Sequence, residues 1–345
     1  MGGDHAPDIV VRGADLARER FPETRFLLFG DEAQLRPLLA SHARLQAASE
    51  IRHTTERITA DAKPGVALRT GRTSSMWMAI EAVQSGQASA VVSAGNTGAL
   101  MAISKHLLRM PRGVDRPAIA SFFPTLRGES AMLDLGANVE CDAENLVQFA
   151  VMGAMFARAV LGIERPTVGL LNIGAEALKG NETVREAAAI LREATLPLQF
   201  EGFVEGNGIA AGKVDVVVTD GFTGNVALKT AEGTAQLYAS FLRQAFQSSL
   251  TAKLGYLLAR GAMQKVRERL DPRRYNGAVF LGLNGVAVKS HGGSDDFAFG
   301  NAVGVAHDMV KHGFLEGVRA ELERMSEMSD GAAPAAQAAT GAAAG

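Results

Sequence analysis

The sequence predicts an α/β protein with a mostly parallel sheet covered by helices on both faces. Short apolar runs alternate with longer helical segments along nearly the whole chain, which is the pattern of strands joined by crossover helices. With 47% hydrophobic and 21% charged residues over 345 positions, the chain supplies a sizeable core. Its 38 glycines suit a fold with many loops close to ligands.

Taken in order, residues 8–20 read as a helix, RFLLFG (25–30) as a buried strand ending at Gly30, and residues 31–40 as the next helix. After Pro64, SSMWMAIEAVQSG (74–86) opens on serines and stops at Gly86, both helix signals. ASAVVSAG (88–95) is a strand and GALMAISKHLLRM (98–110) a helix. AIASFFP (118–124) and AMLDLG (131–136) are strands, and AENLVQFAVMGAMFARAVLG (143–162) is a helix apolar enough to be mostly buried. TVGLLNIG (167–174) is a strand leading to a helix over 181–194. LQFEGFVEG (198–206) and VDVVVTDG (214–221) are strands. Residues 225–247 and 250–270 are helical, VFLGLNGVAVKSHG (279–292) holds one or two strands, and residues 298–324 close the fold as helix. A single domain over 1–325 is expected, with a helical segment protruding at about 235–275. The Ala/Gly-rich stretch 326–345 is expected to be disordered.

Composition excludes several functions. A net charge of −2 gives no whole-chain case for nucleic acid. The single cysteine, Cys141, rules out an internal disulfide and any multi-cysteine metal site, and fits a reducing compartment. It reads as a small residue near a packed turn rather than a nucleophile. No apolar run reaches the length of a membrane span and no signal peptide opens the chain, so a cytoplasmic location is expected. There is no dinucleotide fingerprint, P-loop, nucleophile elbow or tight His/Cys cluster. No cofactor or metal is expected.

The chemistry points to glycine turns. SAGNTGAL (93–100) and TDGFTGNV (219–226) share the pattern [Ser/Thr]-x-Gly-x-Thr-Gly, each where a strand ends and a helix begins. Glycines let backbone approach a ligand, and the first N–H groups of the helix, with its dipole, favour an anion such as phosphate. Asn96, Thr97 and Gly98 belong to the first turn; Asp220, Thr223, Gly224 and Asn225 belong to the second. NIGAEALKGNET (172–183) carries Lys179 and Glu182 in a similar place, DLGAN (134–138) carries Asn138, and KSHGGSDD (289–296) carries Lys289, His291 and Ser294. All are expected to meet on one rim and grip a phosphate-bearing ligand, with Asp4 and His5 beside them. Lys229 reads equally well as solvated.

With these turns in hand, the chain resembles the bacterial phosphate acyltransferases, the acyl-carrier-protein:phosphate transacylases of phospholipid synthesis. The likeness runs from Met1 to about residue 320, through MGGDHAP (1–7), SAGNTGALMA (93–102), DLGAN, LLNIGAEALKGNE (170–182), EGFVEGN (201–207), DVVVTDGFTGNVALKTAEG (215–233) and LGLNGVAVKSHGGSD (282–295). It implies a three-layer α/β/α fold similar to phosphotransacetylase and isopropylmalate dehydrogenase. It also implies a homodimer that converts acyl carrier protein thioester and inorganic phosphate into acyl phosphate and free carrier protein. That product feeds a downstream glycerol-3-phosphate acyltransferase. A phosphotransacetylase-like enzyme using acyl-CoA is the alternative. The family usually has a strand ending in Asp-Ala ahead of MGGDHAP, so the native start is expected upstream of Met1. Ala60, in ITADAKPG, replaces the methionine that often precedes the family's acidic loop.

Phosphate is itself an oxygen nucleophile, so no Ser or Cys intermediate is needed. The site must hold it beside a thioester carbonyl and stabilise the developing oxyanion. Lys179 is assigned to neutralising phosphate charge, Lys289 to assisting it, and His291 to protonating the leaving thiolate. LTAKLGYLLARGAMQKVRERL (250–270) sets Leu254, Leu257 and Leu258 among Lys253, Arg260 and other cations. Such a helix lies on an anionic membrane, docks an acidic carrier or packs at a dimer. The family's peripheral membrane association through this region favours a surface helix.

Overall fold

The computed structural model describes residues 1–324. The expectation of a disordered tail falls outside these residues. The chain opens with α1 (Asp8–Arg20), β1 (Phe26–Gly30), α2 (Glu32–Ala40), α3 (Ala43–Ala47), β2 (Ser49–His53), α4 (Pro64–Thr70), α5 (Ser75–Gln84), β3 (Ala90–Ser93) and α6 (Thr97–Leu108). The middle of the chain is β4 (Ala118–Thr125), β5 (Gly128–Leu133), α7 (Ala143–Leu161), β6 (Thr167–Leu171), α8 (Glu182–Glu193), β7 (Gln199–Val204), α9 (Gly206–Ala211) and β8 (Val216–Val218). Then come α10 (Gly221–Gln247), α11 (Leu250–Arg269), β9 (Ala278–Leu281), β10 (Val286–Lys289) and α12 (Asp296–Lys311). After Gly313, at φ +63°, helix resumes over 314–324.

Eight strands form the main sheet in the order β3-β10-β9-β4-β5-β8-β6-β7, while β1 and β2 pair in a separate two-stranded parallel sheet. Alternation along each strand sorts the core into two faces. Leu133, Val216, Val218, Val286 and Val288 point to α7, α8 and α12, whereas Val91, Phe280 and Ala287 point to α5 and α6. Helix α7 is the central support: fourteen of its nineteen residues are buried. A reciprocal capping box between Asp142 and Asn145 starts it, and Gly162 in the left-handed region ends it.

Strand direction matters most for the site. Strand β10 is parallel to β3 and antiparallel to β9; β9 is antiparallel to β4, and β4 to β5. From β5 onward, β8, β6 and β7 all run with β5. The three antiparallel pairings at the centre therefore reverse the polarity of one half of the sheet relative to the other. The carboxyl ends of β3 and β10 lie on one rim, and those of β5, β8 and β6 lie on the opposite rim.

Helices α10 and α11 form a hairpin that leaves the body. Beyond Gly224 no residue of α10 is buried, and none of α11 is. Leu237, Tyr238, Phe241, Leu254, Leu257 and Leu258 are exposed. Among the described residues no helix is long and apolar enough to cross a membrane.

Candidate functional site

The polarity reversal corrects the expectation of a single rim. Within one chain the anticipated residues fall into two half-sites at opposite ends of the sheet. Asp4, His5, Asn96, Thr97, Gly98, Lys289, His291 and Ser294 gather at one end. Asn138, Lys179, Glu182, Asp220, Thr223, Gly224 and Asn225 gather at the other.

The first half-site grows from the ends of β3 and β10. Ser290 N–H donates to the Ser93 carbonyl (2.9 Å), continuing the ladder past the strands. Residues 2–4 thread alongside. A Cβ on Gly2 would sit 2.6 Å from Gly95 Cα, so neither turn tolerates a side chain there. Asp4 N–H donates to the Gly292 carbonyl (2.9 Å), which leaves its carboxylate beside Gly292 and Gly293. Asn96 caps α6 by accepting from Ala99 N–H (2.8 Å), and its amide donates to the carbonyls of Ala60 (2.8 Å) and Ala62 (3.0 Å). Its side chain is thus occupied in pinning the loop before α4, and Pro64 at the start of α4 is brought against Gly98 of α6. The hydroxyl of Thr97 and the N–H groups of Thr97 and Gly98 make no hydrogen bond among the described residues, and both residues are exposed.

Lys289 is 8% exposed, and among the described residues its Nζ donates only to the carbonyls of Ala94 (3.4 Å) and Ser290. Burial lowers its pKa to about 8, against a smaller raising influence from Asp4. A buried ammonium bonded only to carbonyl dipoles is poised for an anionic ligand. Ser294 is spent on structure: its Oγ lies 3.0 Å from Ser290 Oγ and donates to the His291 carbonyl (2.7 Å). His291 is exposed, with its Nδ1 accepting from Gly293 N–H (3.2 Å).

The second half-site is organised around a buried carboxylate. Asp134 accepts from the N–H groups of Ile119 (2.9 Å), Gly136 (3.2 Å), Ala137 (3.0 Å) and Asn138 (2.7 Å), and from Asn138 Nδ2 (2.9 Å). The amides expected to cradle phosphate in DLGAN are therefore filled from within. Gly221 N–H donates to the Asn138 carbonyl (2.7 Å), and Asn225 Nδ2 to the Leu135 carbonyl (3.1 Å). A Cβ on Gly224 would collide with the Asp134 carbonyl oxygen, so glycine is required where α10 crosses this turn. Asp220 caps α10 and takes both the N–H (2.8 Å) and the hydroxyl (2.8 Å) of Thr223. Lys179, on the 172–181 loop, and Glu182, at the start of α8, are exposed, and Asn172 folds that loop by donating to the Lys179 carbonyl (3.0 Å). Cys141 is half-buried beside Asp134 and Asp220; burial first, then those two charges, push its thiol to about 11 and keep it protonated.

Sequence reasoning missed Asp134 as an organiser and Pro64 as a neighbour of α6. The DLGAN and KPG stretches were visible, but their partners were not.

Residues 1–317 match the protein family described as fatty acid synthesis protein. A phosphate acyltransferase of Rhodospirillum centenum is 65% identical over 333 residues, covering 96% of this chain and 94% of that protein. The phosphate acyltransferase of Rhodospirillum rubrum is 62% identical, covering 94% and 93%. Among solved structures, a phosphotransacetylase from Streptococcus pyogenes superposes with TM-score 0.58 at 18% identity, over 89% of this chain and 92% of that one. A branched-chain phosphotransacylase from Enterococcus faecalis gives 0.54 at 13% identity, over 90% and 97%. These two likenesses are of fold, and agree with an α/β/α architecture.

Proposed function

The chain belongs to the fatty acid synthesis protein family, and on that premise we propose that it is a phosphate acyltransferase acting in phospholipid synthesis. It moves a fatty acyl group from acyl carrier protein to inorganic phosphate. A phosphate oxygen attacks the thioester carbonyl, the C–O bond forms, the C–S bond breaks, and the thiolate leaves to be protonated. The observation that carries this reading is the buried Lys289 ammonium on the same rim as the unbonded amides of Thr97 and Gly98. Together they offer one formal positive charge, two N–H donors and a helix N-terminus to a phosphate dianion and the oxyanion it creates. A thiolate is a good leaving group, so acid assistance from the exposed His291 is a secondary contribution.

The opposite rim enters through a second copy. In a twofold dimer, each contact between the Lys289 end of one protomer and the Lys179 end of its partner occurs twice. The exposed apolar residues of α10, Leu237, Tyr238 and Phe241, support such a homodimer. Leu254, Leu257 and Leu258, flanked by Lys253 and Arg260, support peripheral docking on an anionic membrane, where acyl phosphate passes to the downstream acyltransferase.

The test uses long-chain acyl carrier protein and phosphate, trapping acyl phosphate with hydroxylamine. Lys179→Ala and Lys289→Ala are each expected to be nearly inactive. Co-expressed and randomly paired, they regain about a quarter of wild-type turnover, because half of the dimers are mixed and each carries one intact site of two. No product from the wild-type protein rejects the activity. Product with no recovery on mixing rejects the shared site alone, and equal use of acyl-CoA moves the donor assignment to the coenzyme.

A further inference from the structure

The chain returning from the α10–α11 hairpin is stitched onto the Lys289 rim by Asn276. Its Nδ2 donates to Ser290 Oγ (2.8 Å) and to the Ala298 carbonyl in α12 (2.8 Å), and its Oδ1 accepts from His291 N–H (2.9 Å). Ser290 is fully buried, and its hydroxyl continues the network to Ser294 and from there to the His291 carbonyl. The carbonyl of Ser290 is also one of the two oxygens that receive Lys289 Nζ. The segment that presents Asn276 is itself fixed. Arg273 pairs with Asp271 and with Asp295, the residue that caps α12, and Tyr275 donates its hydroxyl to the Arg269 carbonyl (2.7 Å).

We infer that Asn276 is a positioning residue for the reaction, holding the Lys289–Ser294 turn in place through Ser290 and His291. The inference rests on the phosphate acyltransferase reading given above. An amide suits this position because two donors and an acceptor are needed in one plane. Aspartate keeps the acceptor for His291 and loses both donors; leucine has similar volume and loses all three. Displacing the turn moves Lys289 relative to the start of α6, and the groups that bind phosphate no longer converge.

Asn276→Leu and Asn276→Asp are compared with the wild-type protein in steady-state kinetics with varied phosphate, alongside thermal melting. Losing folded protein lowers apparent kcat and leaves KM untouched, so the KM for phosphate is the discriminating reading. For Asn276→Leu, kcat is expected to fall on the order of 100-fold and the KM for phosphate to rise roughly tenfold, the scale of effect that a small misplacement produces. Asn276→Asp shows the same signature with a smaller loss. An unchanged KM in the variants, with kcat falling only as the folded fraction falls, overturns the inference. So do unchanged kinetics. If Asn276→Leu does not fold, the KM of Asn276→Asp decides alone. A wild-type protein that forms no acyl phosphate instead rejects the activity reading.

Discussion

The two turns share the pattern [Ser/Thr]-x-Gly-x-Thr-Gly, yet they build opposite electrostatics. In the first, α6 begins at Thr97 behind the neutral cap Asn96, so Gly95 lies in the turn and Thr97 opens the helix. In the second, α10 begins two pattern positions earlier, at Gly221 behind the cap Asp220, and Thr223 falls three residues past the cap, where Asp220 captures it. One turn leaves hydroxyl and amides free on the rim that also holds a buried cation. The other brings its own carboxylate to the helix N-terminus, with a second carboxylate, Asp134, just beneath. A glycine pattern marks where backbone can come close to something; the capping residue decides whether that something is a ligand or the protein itself.

Removing the internal anion tests the second turn most severely. Asp134→Ala leaves a set of buried N–H groups without an acceptor and is expected to destabilise the protein by roughly 3–5 kcal/mol, read by urea titration. A loss under about 1 kcal/mol would mean the DLGAN turn does not need its carboxylate.

The buried cation of the first turn behaves in the reverse sense. Lys289→Met is expected to lower kcat/KM roughly 100- to 1000-fold while raising the melting temperature. The folded-state pKa, about 8, lies below the ordinary 10.5, so the unfolded chain binds the proton more tightly. The burial penalty, roughly 3 kcal/mol, is full below pH 8 and is relieved as pH climbs from 8 to 10.5, so this group makes wild-type stability rise over that interval. The profile of kcat/KM runs the other way and declines above about pH 8 as the ammonium of the free enzyme loses its proton. A methionine variant no more stable than wild type at pH 7 contradicts the penalty; a flat activity profile through pH 9 removes the ammonium from the chemistry.

The mildest contrast is between the two threonines. Thr97→Val is expected to reduce kcat/KM about tenfold with no change in melting. Thr223→Val should lower stability by about 1 kcal/mol with turnover within about twofold of wild type, since its hydroxyl already has a partner. Equal effects at both positions would erase the distinction between the turns.

Much of the architecture was legible because it is local. The apolar length of α7, the serine start of α5 and the strand–turn–helix alternation all announce themselves within a dozen or so residues. Strands β1 and β3, α6, α8 and α10 fall within a few residues of their expected bounds. The short α3, β2 and α4 did not stand out, since the stretch from 43 to 70 has little periodicity. The two-rim arrangement was invisible for a different reason. It depends on β9 and β4 running against their neighbours, and no feature within a strand records which way the next one points. The burial of Lys289 and the three partners of Asn276 are equally nonlocal, joining residues far apart in the chain.

That separation has a consequence for how the molecule is made. Among the described residues strand β3 pairs with β10 alone, and β10 is the last strand there, whereas β5 through β8 and the start of α10 form one continuous stretch. On the ribosome the Lys179 end can assemble while the remainder is still being synthesised, but the lysine pocket at the other end stays unformed until translation is nearly complete. A truncated polypeptide released early would own half of the machinery and none of the phosphate-gripping ammonium.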